Sequence, residues 1–141
     1  MSDYDYVVPR GMLIMEGDAS KRLYLEQQKL KTYFPQFGFS QSAGTGELGV
    51  TGRLRTNSGA RYPLRLQITE NYPYEFPYVF PIGWDSTCPH IYPAGNLCIM
   101  RPDQWRPFYS IAFAIAKSAI WLNKFEVFKR RGYWPGNEQD H

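Results

Sequence analysis

The chain has 141 residues, with Lys and Arg totalling 16 and Asp and Glu 13, a formal net charge of +3. That length fits one compact domain rather than two, and so mild a basic excess does not argue for a nucleic-acid partner, which shows as a strongly basic patch. Hydrophobic residues make up 43% and aromatics 17%, which excludes a disordered chain and supplies ample apolar mass for a core.

The first residues, Met1-Ser2-Asp3-Tyr4-Asp5, place acids where a secretory signal needs a basic start and an apolar run. The longest apolar stretch, residues 110–122, is interrupted by Lys117 and falls short of the roughly 20 residues a membrane span needs. Two cysteines, Cys88 and Cys98, do not make a disulfide framework. The expectation is a single domain over 1–141, with 133–141 as a tail, in the reducing cytoplasm, off the membrane, with thiols available for chemistry.

Residues 1–17 read as a loose lead-in. Asp18 or Ser20 is placed to cap a helix starting near Lys21, with Leu23, Leu30 and Phe34 at helical spacing and Pro35 as its stop. Lys21, Arg22, Lys29 and Lys31 against Glu26 give this helix a basic bias. That bias reads either as a solvated face or as a dock for an acidic partner. A first strand falls around residues 37–41. Leu48, Val50, Gly52 and Leu54 then alternate with polar residues, and after the turn Thr56-Asn57-Ser58-Gly59 so do Tyr62, Leu64, Leu66 and Ile68. Runs joined in this way pair antiparallel. A fourth strand, residues 79–82, is confined to an edge by Pro81.

Pro73, Pro77, Pro81, Pro89, Pro93, Pro102 and Pro107, with Pro63 just upstream, stiffen a long irregular segment over 70–107. Irregular segments of that length in a compact domain are usually functional. A second helix is expected from Pro107 or Phe108 to about Arg131, ended by Gly132. It is apolar almost all round from Ile111 to Leu122, as a buried helix is, with Lys124, Lys129, Arg130 and Arg131 basic and exposed beyond. The order of helix, meander, Pro-rich loop and helix makes an α+β domain.

The loop holds both cysteines and His90. Cys88, His90 and Cys98 supply only three ligands where structural zinc wants four, so no metal is assigned. A Cys88–Cys98 disulfide would need an oxidising setting. Cys98 reads as a small buried hydrophobe or as a nucleophile, since a thiol attacks thioesters well even when mostly protonated. His90, eight residues earlier, is within reach across a loop, and no third member completes a protease-like site.

Tyr72-Pro73-Tyr74-Glu75-Phe76-Pro77 resembles the Tyr-Pro-Phe-x-x-Pro motif of ubiquitin-conjugating enzymes. Cys88-Pro89-His90 falls where that family has His-Pro-Asn. Gly95-Asn96-Leu97-Cys98 falls on its Gly-Asn-Ile-Cys, with Trp105 following at +7. The resemblance covers roughly residues 20–122. It implies the ubiquitin-conjugating (UBC-like) fold with the family's C-terminal helices missing. It also implies that Cys98 carries an activated C-terminal glycine as a thioester and passes it to a lysine amine.

The family's asparagine, the expected oxyanion donor, is His90 here, and its first histidine is Cys88, read as structural. A neutral imidazole N–H can serve an oxyanion as an amide does. With an ordinary pKa near 6.5, His90 can also act as a base, or it can simply staple the loop. Asn96 reads as a turn residue, Trp105 as packing under the loop and Asp103 as exposed. The ending Trp121-Leu122-x-Lys124-Phe125-Glu126 with Gly132-x-Trp134-Pro135-Gly136 resembles bacterial relatives in ubiquitin-like conjugation and anti-phage (CBASS-type) operons. The implied cargo is a ubiquitin-like protein or the C-terminus of a cGAS-like nucleotidyltransferase. No cofactor is implied. ATP use falls to a separate activating enzyme, since no G-x-x-x-x-G-K loop occurs, and Lys21, Arg22, Lys29 and Lys31 become its dock or the cargo's. The alternative is a non-catalytic binding module of the same fold.

Overall fold

A computed structural model describes residues 9–15 and 19–136. A four-stranded antiparallel meander lies at its centre: β1 (Gly38–Gln41), β2 (Leu48–Arg55), β3 (Arg61–Gln67) and β4 (Tyr78–Pro81), in that spatial order. Register pairs Val50 with Leu66 and Leu54 with Tyr62 across β2 and β3, and Leu66 with Val79 across β3 and β4. The inward residues Val50 and Leu54 of β2, Tyr62, Leu64 and Leu66 of β3 and Val79 of β4 are buried, as period-two alternation requires, while β1 stays largely exposed with Phe39 half-buried. Arg53, Arg55, Arg61 and Arg65 stand exposed on the opposite side of β2 and β3. β4 is an edge strand, and Pro81 sits at its end.

Two helices, α1 (Arg22–Tyr33) and α2 (Ile111–Arg131), complete the α+β fold. The inward face of the sheet, the Pro-rich segment and α2 share one apolar cluster, in which Phe125 on α2 meets the Tyr62 ring at 6.4 Å. The β2–β3 turn is tied to the same helix. Ser58 donates to the Glu126 carboxylate at 3.0 Å, and Asn57 N–H donates to Asn123 Oδ1 at 3.2 Å. No helix among the described residues is long and apolar enough to cross a membrane.

Several local expectations change. Asp18 lies outside the described residues. Ser20 falls in a 3-10 turn ahead of α1, whose N-cap is Lys21 without a side-chain cap bond. The first turn is held instead by tertiary bonds from Arg22. Leu23 of the expected apolar stripe is 50% exposed, and Glu26 is the buried residue of that turn, 1% exposed. A single ion-paired network offsets what burial of the carboxylate costs.

α2 begins at Ile111, later than expected, because Ser110 Oγ accepts the Phe113 N–H at 3.1 Å and caps it there. Lys124 is buried rather than exposed. It lies three residues after Trp121, on the face that α2 keeps inward as far as Phe125.

Within the segment read as a loose lead-in, residues 12–14 pack onto the domain. Met12 and Ile14 are buried, and Ile14 N–H donates to Phe108 O at 2.7 Å.

Candidate active site

β4 anchors the thiol loop. Leu97, fully buried, donates its N–H to Val79 O at 2.8 Å, so Cys98 follows directly from a fixed point on the sheet. Residues 91–97 form a small hairpin closed by an Ile91–Leu97 bridge and by Tyr92 N–H to Asn96 O at 3.0 Å. Gly95 turns it at φ 93°, a conformation that favours glycine. Asn96 is buried at this turn, consistent with a shaping role. Trp105 is buried below, and its indole N–H donates to Pro73 O at 2.7 Å, tying the Tyr-Pro motif to the thiol loop. Asp103 is exposed in the turn Pro102–Gln104, 3.5 Å from Arg101.

The main chain joins His90 to Cys98. The His90 carbonyl accepts the Cys98 N–H at 3.1 Å and the Trp121 indole N–H at 3.0 Å. His90's own N–H donates to Cys88 Sγ at 3.4 Å. His90 is 7% exposed, and its imidazole lies tilted against Trp134, ring centroids 4.4 Å apart. Both thiols are free, and Cys88 is half-buried beside His90. Among the described residues no group of three or more His, Cys, Asp and Glu side chains is placed to hold a metal ion.

Burial pushes the Cys98 thiol up, and the nearby Tyr92 hydroxyl lowers it in part. Cys88 is raised by burial as well, against a lowering contribution from the His90 N–H and a further raising one from the neighbouring Cys98. Tyr92 was not singled out by sequence reasoning. Its hydroxyl donates to Met100 O at 2.6 Å while also reaching Cys98. Burial, then the neighbouring Cys98, raise it far above the ordinary phenol range. The only sequence signal is its place in the Ile91-Tyr92-Pro93 run ahead of the thiol.

The four basic residues expected on the first helix, Lys21 just ahead of α1 and Arg22, Lys29 and Lys31 on it, separate. Lys21 and Lys31 are exposed. Lys29 donates to Gly11 O at 2.6 Å and pins the packed N-terminal segment. Arg22 turns inward, donating to Pro107 O and Tyr109 O at 2.7 Å each and pairing with Glu26 at 3.0 Å.

A meander backed by a long helix, with a cysteine-bearing loop leaving its edge strand, is the architecture of ubiquitin-conjugating (E2) enzymes. A ubiquitin-conjugating enzyme E2 from Plasmodium falciparum superposes with a TM-score of 0.50, at 18% identity over 71% of this chain and 96% of that one. The family model described as "Type II CBASS E2 protein" matches residues 26–141, and the chain belongs to that family. A curated relative, the Sumo-conjugating enzyme ubc9 of Dictyostelium discoideum, is 32% identical over 112 residues, 69% of each chain. As an E2 family member, the chain works among protein partners such as an activating enzyme and protein substrates.

Proposed function

We propose that Cys98 carries the C-terminal glycine of a ubiquitin-like protein or of a cGAS-like nucleotidyltransferase as a thioester and passes it to a lysine amine, in anti-phage defence. The observation that carries this reading is the placement of the Cys98 thiol. It follows a hairpin anchored to β4, lies within reach of the Tyr92 hydroxyl, and is bonded through its main chain to His90.

In loading, the Cys98 thiolate attacks the activated acyl carbon held on the activating enzyme, and that enzyme's sulfur leaves with the bonding pair. In discharge, the amine attacks the same carbon. The C–N bond forms, the C–S bond breaks, and Cys98 departs as thiolate. The attacking amine must give up a proton and the intermediate carries an oxyanion. His90 is proposed to serve one of these, as N–H donor to the oxyanion or as base toward the amine. Lys21 and Lys31 are proposed as the exposed part of the dock for activating enzyme or cargo. Cys98 is only 6% exposed, and a narrow glycine-ended chain suits so covered a thiol better than a branched one.

The test mixes the protein with its candidate activating enzyme, ATP and cargo, and resolves the products with and without reductant. A band that reductant removes and that Cys98→Ala lacks is the expected result. An adduct that persists in Cys98→Ala would sink the proposal. No adduct with any candidate cargo would select a non-catalytic binding module of the same fold. Repeating the assay with His90→Ala separates loading from discharge.

A further inference from the structure

The motif Gly132-x-Trp134-Pro135 follows α2, and the thiol chemistry above makes no use of it. Gly132 ends the helix at φ 78° with its N–H on Phe128 O, and the chain turns back. Pro135 is buried, so the segment is seated and not trailing. Trp134 lands on the imidazole of His90 at 4.4 Å between centroids and 31° between planes, a close tilted ring contact. Its other neighbours are Trp121 at 5.3 Å and Phe128 at 6.3 Å, both on α2. The indole is therefore held by a rigid helix.

The main chain of His90 is already fixed by three hydrogen bonds, from Cys98, from Trp121 and to Cys88. Those bonds do not set the plane of its ring. The last torsion of a histidine side chain joins sp³ to sp² carbon and is broad. A flat neighbour packed against the face narrows that freedom, and a group that must meet an oxyanion or an amine gains from being pre-oriented.

We propose that Trp134 is a positioning residue: its ring contact fixes the orientation of the His90 imidazole, and through it the rate at which a Cys98 thioester is passed to an amine. This rests on the role proposed for His90 and assigns the segment after α2 to the active site.

The experiment uses the full chain carrying Cys88→Ser. Cys98 is loaded by exchange with a glycine-ended peptide mercaptoethanesulfonate thioester, which releases mercaptoethanesulfonate, and is then discharged to free lysine. Neither activating enzyme nor cargo is needed, so failure of the cargo assay and failure of this proposal are read separately. Trp134→Leu is expected to slow discharge roughly tenfold, a fraction of the roughly 10²–10³ that deleting an oxyanion donor costs. Trp134→Phe, which keeps a flat ring, is expected to stay within about threefold of the parent. In a His90→Ala background, Trp134→Leu is expected to change the rate less than about twofold, because its effect has lost its target. An equal slowing in both backgrounds would overturn the proposal, as would an unchanged rate in Trp134→Leu.

Proton NMR supplies a readout that does not depend on turnover. With two histidines in the chain, the His90 imidazole protons are assigned by His141→Gln. They are expected to show indole ring-current shielding and cross-relaxation with Trp134, both lost in Trp134→Leu. Their absence in the unsubstituted protein would refute the ring contact even if Trp134→Leu failed to fold.

Discussion

Glu26 on α1 accepts the main-chain N–H of Ile111, the first residue of α2, at 2.9 Å across 85 positions of sequence. The same carboxylate pairs with Arg22 at 3.0 Å and receives the Tyr72 hydroxyl. One buried side chain therefore joins both helices to the loop that carries the Tyr-Pro motif.

Replacing Glu26 with Leu leaves the Arg22 guanidinium and the Ile111 N–H without their acceptor. Breaking a buried pair in this way typically costs about 3–5 kcal/mol. Arg22 is partly solvated, so a loss near 3 kcal/mol in denaturant unfolding is expected. Glu26→Gln keeps an acceptor for Ile111 and is expected to lose less. Equal stability of Glu26→Leu and the parent would show that the network is not needed for the fold.

Cys98 is expected to alkylate with a midpoint above the ordinary thiol range near 8.5, because burial disfavours its thiolate. Iodoacetamide rates against pH, followed by mass spectrometry in Cys88→Ser, measure this directly. Tyr92→Phe removes the hydroxyl that lowers the Cys98 thiol and is expected to move the midpoint higher still. A midpoint at or below 8.5 in the parent would contradict the burial argument.

Tyr62 donates to Glu126 Oε2 at 2.8 Å, and burial together with that carboxylate pushes its hydroxyl up to about 12. Its unfolded value is near 10. The folded state thus holds a proton that the unfolded state has released, and stability is lost as pH rises from 10 toward 12. The difference in ultraviolet titration between the parent and Tyr62→Phe isolates this residue. Glu126→Gln is expected to bring its midpoint down.

The basic residues on α1 and at its N-cap are expected to divide by function as they divide in space. Lys21→Glu with Lys31→Glu is expected to slow loading by the activating enzyme several-fold at low salt, with a fading effect at high salt and an unchanged melting temperature. Arg22→Ala is expected to lower the melting temperature through its lost bonds to Pro107 and Tyr109. A salt-independent loading defect in the lysine variant would place the dock elsewhere.

Much of this protein is set by local pattern. Period-two alternation in residues 48–68 determined two paired strands and which side of each is buried. Pro81 determined an edge. Gly132 determined where α2 ends, because few other residues take its φ of 78°. The motif order from Tyr72 to Trp105 determined the family and marked Cys98. These signals are readable because each depends on neighbours a few residues away.

Other features were decided by contacts that no local pattern encodes. Glu26 and Lys124 are charged residues at buried positions, and only the packing of α1 and α2 decides that they face inward. Leu23 is exposed for the complementary reason, since Glu26 takes the inward place on that turn. Tyr92 reaches the thiol because a hairpin folds it back toward Met100. Trp134 meets His90 across 44 positions of sequence, where the turn after α2 returns the chain to the loop. Sequence spacing fixes direction along an element. Which side chains touch between elements depends on how those elements pack, and that is settled only in three dimensions.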